Sequence, residues 1–221
     1  MKFKESLKKD WYLYLLILVT YIVTFCFYSK LPAQVPSHWG INGQIDGYLP
    51  RLAGVLILPS ICLGCLVLFE FLPLIDPKKY NYELFANSYQ IFKVSFIVFM
   101  LILHATVILF ALGFAIDVNL IVTSGVGILF MILGNYLSKI KPNYFVGFKL
   151  PWTLASDYVW KKTHRLAGGL MFICGLIFII SGIWLRNALA FVIPVVVILL
   201  IVIPTIYAYM IYQKHEKGHS R

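Results

Sequence analysis

Charge is scarce in this chain, and negative charge is scarcest. Asp and Glu number nine against nineteen Lys and Arg, and charged residues make up 13% of the 221 residues. Soluble domains carry about 25% charged residues, so a soluble globule is excluded. The five histidines (His38, His104, His164, His215 and His219) are scattered and have no acids grouped with them, so no metal site is expected. There is no HExxH, and Ser124, the serine nearest to partnering His104, sits in VTSG without the first glycine of a GxSG turn. An enzyme is not expected, and no cofactor is implied. Cys26, Cys62, Cys65 and Cys174 all lie in apolar runs, so no disulfide framework is implied, and Cys62-x-x-Cys65 has no charge beside it to activate a thiolate. No small-x-small cleavage site follows the first apolar run, which therefore reads as a retained span.

What is abundant is apolar surface: 61% of residues are hydrophobic and the mean hydropathy is +0.85. The apolar runs are continuous rather than alternating, so they read as helices that satisfy their own backbone in lipid. A helix needs about 20 residues to cross a bilayer. The runs give an all-α membrane protein of one integral domain, 1–221, with six transmembrane helices at about 11–29, 52–72, 94–116, 119–137, 166–185 and 189–212. Pro59, Pro194 and Pro204 fall within spans, Pro59 as an expected kink. Arg186-Asn187 reads as a tight turn and the tail QKHEKGHSR as polar and mobile.

The net charge of +10 would suggest nucleic acid in a soluble protein, but its distribution reads as topology, and no direct nucleic-acid binding is expected. Lys2, Lys4, Lys8, Lys9, Lys78, Lys79, Lys139, Lys141, Lys149, Lys161, Lys162, Arg165, Lys214, Lys217 and Arg221 share one side of the membrane, while Lys30, Arg51 and Arg186 lie on the other. The positive-inside rule then places both termini in the cytoplasm. Loop 30–51 is extracellular, and its Asn42-Gly43 predicts a hairpin with a two-residue turn. Loop 138–165 is cytoplasmic.

Three further features stand out. Ala167, Gly168, Cys174, Gly175, Ser181 and Gly182 repeat every seven residues and form one stripe of small side chains, a packing seam within a subunit or between two. His104 lies mid-span, where it is either a neutral imidazole bonded to a neighbouring helix or a functional group. Glu70 and Lys93 lie near the inner ends of adjacent spans, where they pair or snorkel separately.

The densest polar stretch is GNYLSKIKPNYFVGFKLPWTLASDYVWKKTHRLAGG, residues 134–169. Ser156-Asp157 or Thr153 can cap the helix that becomes the fifth span. The stretch reads either as a generic loop with an aromatic belt or as a docking surface whose cations meet a cytosolic partner or anionic lipids. It closely resembles the signature of the SdpI family, bacterial membrane proteins named for immunity against a secreted cannibalism toxin. The outer loop LPAQVPSHWGINGQIDGYLPR resembles the motif of a domain that often precedes that signature.

The resemblance implies a multi-pass immunity protein of the bacterial cell membrane. Its partners would be a secreted peptide toxin outside and a cytosolic autorepressor inside. The matching motif residues are Pro36, His38, Trp39, Gly43, Asp46 and Tyr48 outside, and Asn143, Gly147, Pro151, Trp152, Trp160, His164 and Arg165 inside. Lys149 stands where the family usually has arginine, and a lysine does not reproduce a bidentate contact. The alternative function is a small-molecule transporter or membrane sensor, which the in-span prolines would serve.

Overall fold

The computed structural model describes residues 3–40, 43–184 and 189–219. The chain runs α1 (Phe3–Cys26), a short 3₁₀ turn, β1 (Gln34–Trp39), β2 (Ile45–Pro50), α2 (Arg51–Ile75), α3 (Asn81–Leu84), α4 (Ala86–Ala111) and α5 (Val118–Leu137). It continues through α6 (Pro151–Ala155), α7 (Asp157–Trp184), α8 (Leu189–Val197), a π turn at Ile198–Val202, and α9 (Ile203–His219). Among the described residues six helices are long and apolar enough to cross a membrane, the sixth running Phe191–His215 through the π turn. The chain is a mostly helical, multi-pass membrane protein.

Buried positions explain how the helices meet. α2 buries Val55, Pro59, Cys62, Leu66, Glu70 and Pro73, and α4 buries Tyr89, Lys93, Ile97, Leu101, His104 and Ile108. Steps of three and four residues put each set on one helix face. α1 adds Asp10, Leu13, Ile17 and Thr24, and the three stripes close on one another around Leu13, Ile17, Cys62, Leu66, Ile97 and Leu101. Pro59 and Pro73 lie inside α2 without ending it. The outward faces stay apolar, as at Leu18, Ile22, Leu68 and Ile102, because lipid covers them.

The other half is built on α5 against α7, the most extensive helix pair in the molecule, with α8 and α9 behind α7 and α4 meeting α5 to join the halves. Here the seven-residue stripe is the contact face: Ala167, Gly168, Cys174, Gly175, Ser181 and Gly182 are all buried. A Cβ on either Gly134 or Gly168 would stand 2.6 Å from the other's carbonyl oxygen, and Gly127 and Gly175 approach each other in the same way. In lipid no hydrophobic force drives helices together, so van der Waals packing at such close backbone approach holds the pair. Within this chain the stripe is therefore occupied by α5.

Three local expectations change. The outer loop is a hairpin, but its last strand pair is Trp39↔Ile45 and Gly40 N–H donates to the Gln44 carbonyl, so the connection is longer than a two-residue turn. The pairing also carries register shifts on either side of His38. The last helix does not end with its span at Tyr212: α9 continues to His219, because a helix propagates at one backbone bond per residue once its preceding turns are formed. Several helices outrun their apolar runs: α1 begins at Phe3, α4 at Ala86 and α7 at Asp157. Hydropathy marks lipid depth, whereas backbone hydrogen bonding marks helix length. The expected turn at Arg186-Asn187 and residue Asn42 lie outside the described residues.

Candidate functional site

The motif loop between α5 and α6 folds onto itself before it meets anything else. The Asn143 side chain is fully buried; its Oδ1 accepts from the Phe145 and Val146 amides at 2.9 and 2.7 Å, and its Nδ2 donates to the Lys141 and Val146 carbonyls at 2.9 and 3.0 Å. One amide side chain thus fixes the turn that a helix or strand would otherwise supply. Gly147 follows with φ at +111°, and a Cβ there would strike the His164 imidazole. The Phe148 amide donates to His164 Nε2 at 3.0 Å, which leaves Nδ1 as the protonated nitrogen that donates to the Trp160 carbonyl at 2.9 Å. The Trp160 ring stacks on His164 with centroids 4.0 Å apart, and its Nε1–H donates to the Ile140 carbonyl at 2.9 Å.

Thr153 closes α6 by accepting from the Leu150 amide, while Ser156 Oγ accepts from the Val159 amide at the start of α7. Of the two expected caps, Ser156 therefore serves α7 and Thr153 serves α6. The loop is tied to the α2–α3 corner: Asp76 accepts from the Tyr144 amide at 2.9 Å and the Tyr82 hydroxyl at 3.0 Å, and Asn81 donates to the Pro142 carbonyl at 2.7 Å. Burial, and then the neighbouring Asp76 carboxylate, raise the Tyr82 hydroxyl well above the ordinary tyrosine range.

This geometry divides the inner motif in two. Asn143, Trp160 and His164 are buried and Gly147 is packed on His164, so these four shape the loop. Lys149, Pro151 and Arg165 are exposed, beside exposed Tyr144, Tyr158, Lys161 and Lys162. Lys149 donates to the Phe145 carbonyl at 3.0 Å, steadying the loop's own backbone. Trp152 packs edge-on against Tyr209 of α9, with centroids 5.4 Å apart.

The outer motif divides likewise. Pro36 is buried and Trp39 packs edge-on against Phe110 of α4, fastening the hairpin to the bundle. Gly43 takes φ +78° in the turn. His38 Nδ1 and Asp46 Oδ1 are 2.5 Å apart across the strands, both largely exposed, and Tyr48 is exposed beside them. The hairpin thus offers an imidazole, a carboxylate and a phenol on its exposed face.

Between the two faces lies a cluster that the sequence reading missed. Lys93 pairs with Asp10 of α1, not with Glu70, and both partners are fully buried. Gln90 Nε2 donates to Asp10 at 2.6 Å and to the Tyr12 hydroxyl at 3.0 Å. Glu70 is also buried, its carboxylate within electrostatic reach of Tyr14, Lys93 and Asp10 but without a hydrogen bond of normal geometry. The available signal was position: Asp10 falls three and seven residues before Leu13 and Ile17, on the buried face of α1. Further out, Thr24 Oγ1 and His104 Nε2 are 3.0 Å apart, joining α1 to α4.

Comparison with known proteins covers both motifs. Residues 139–208 match the SdpI/YfhL protein family, and residues 15–63 match a domain of unknown function, DUF1648. The immunity protein SdpI of Bacillus subtilis (strain 168) is 26% identical over 208 residues, spanning 94% of this chain and 98% of that protein. No solved structure matches the chain.

Proposed function

We propose, from the match of residues 139–208 to the SdpI/YfhL family and the likeness to an immunity protein over nearly the whole chain, a multi-pass immunity protein that protects the producing bacterium from a secreted antimicrobial peptide. The observation that carries this reading is the extent of the likeness: nearly the whole chain aligns with nearly the whole of a protein named for immunity. In this reading all of 1–221 acts as one integral membrane unit with both termini cytoplasmic, an orientation that the lysine and arginine bias supports. It is a binding protein rather than an enzyme.

The toxin meets the outer hairpin, where His38, Asp46 and Tyr48 present hydrogen-bonding groups on a scaffold fastened by Pro36 and Trp39. Inside, Lys149, Pro151 and Arg165 form a surface suited to capturing a cytosolic repressor, with Asn143, Gly147, Trp160 and His164 holding its shape. Toxin binding outside shifts the helix packing, and the α5–α7 seam carries the shift inward. A ligand does this only by binding one packing more tightly than the other.

Survival tests the proposal. In a toxin-sensitive bacterium the wild-type chain protects against titrated cannibalism-type peptide, and His38→Ala with Trp39→Ala loses protection at normal membrane insertion. Lys149→Ala with Arg165→Ala keeps protection and loses repressor capture. Absence of protection by the wild type sinks the immunity reading for this ligand class. The transporter reading, which has the π turn between Pro194 and Pro204 in its favour, would then lead.

A further inference from the structure

On the termini's side, a groove of about 930 Å³ opens between the start of α1, the α3–α4 corner and the segment just after α5. Three lysines from separated parts of the chain line it: Lys9, Lys139 and Lys141, all exposed. Glu83 is the acid among its lining residues, so the wall keeps an excess of two positive charges. The Lys139 ammonium is held over the Tyr136 ring at 4.5 Å, which keeps that charge at the groove instead of free in solution.

Depth identifies the occupant. Lys9 is the first residue of the first span, Ala86 the first of the third, and Lys139 stands two residues beyond Leu137, the last of the fourth. The groove therefore opens at the level of the lipid headgroups, on the lysine-rich side where the positive-inside rule places the cytoplasm and its anionic lipids. Its wall also includes Leu84, 68% exposed, which suits the glycerol and acyl chain below a phosphate. We infer that this groove binds the phosphate headgroup of an anionic phospholipid, with Lys9, Lys139 and Lys141 as its cationic ligands.

The consequence is mechanical. α4 meets α5 at the joint between the two halves, and Lys9 precedes Asp10, the partner of Lys93. Gln90 lines the groove and donates to the same Asp10. A lipid phosphate seated there clamps α1, α4 and the post-α5 segment together.

The test uses the full-length chain, delipidated in neutral detergent, with its unfolding temperature followed as phosphatidylglycerol, phosphatidylcholine or inorganic phosphate is titrated in. Phosphatidylglycerol raises the unfolding temperature saturably and the other two do not. Each single Lys→Gln change in the groove weakens the half-saturation point about fivefold, the worth of one lysine near an anionic surface. Lys161→Gln with Lys162→Gln, on the same side but outside the groove, leaves it unchanged. The triple Lys→Arg variant keeps the charge and retains the response. Equal weakening by the outside pair, an equal response to phosphatidylcholine, or a full response to inorganic phosphate alone would each overturn the proposal.

Discussion

Lys93 shows how one residue's role depends on its partner. Its ammonium is buried within α4 and Asp10 of α1 supplies the opposing charge, while Glu70 stands close by, within reach of Tyr14 and Lys93. Removing one partner of a buried pair strands the other charge, which costs about 3–5 kcal/mol, whereas removing both is often nearly neutral. Asp10→Ala should therefore destabilise strongly, and Asp10→Ala with Lys93→Met should recover most of the loss. Thermal unfolding of the wild type and the two variants in one detergent checks this, and equal losses in the single and double variants would contradict it.

At the scale of elements, two devices position everything else. The first is the α5–α7 seam, where Gly168 and Gly134 leave no room for a side chain against each other's carbonyl. Gly168→Val should push the helices apart and cost about 1–3 kcal/mol, the usual range for overpacking. Gly169→Val, one residue away and facing open space, serves as the control and should change stability by less than about 1 kcal/mol. Equal shifts in the two unfolding temperatures would mean that the seam is not the site of close packing. The second device is the 139–150 loop, whose irregular backbone is satisfied by Asn143, His164 and Thr153 in place of a ladder. Its buried polar residues fix where Lys149 and Arg165 stand.

For the whole molecule, the two bundles meet at α4 and α5, the hairpin sits across one end of α2 and α4, and the motif loop lies at the other end. The two motif surfaces therefore lie at opposite ends of the helix bundle. The cytoplasmic orientation proposed from the charge bias is testable directly. Green fluorescent protein fused after Arg221 should fluoresce, and alkaline phosphatase fused there should be inactive. The reverse pattern would invert the molecule and place the hairpin inside.

The amino-acid sequence by itself determined the six spans, because long apolar runs with so few charges have no soluble alternative. It also determined that the small-residue stripe of α7 would be a packing face and that the outer loop would turn back on itself, since a seven-residue period and Gly43 are local signals. Only the tertiary structure decided which helix fills the stripe. It likewise decided that Lys93 takes Asp10, 83 positions away, instead of Glu70 on the adjacent span. The same holds for the motif loop: Asn143, Trp160 and His164 face inward while Lys149 and Arg165 face out. Periodicity and hydropathy report what one segment can bury, but a buried charge or a loop side chain finds its partner only when separate segments pack, and that choice is made by the whole chain at once.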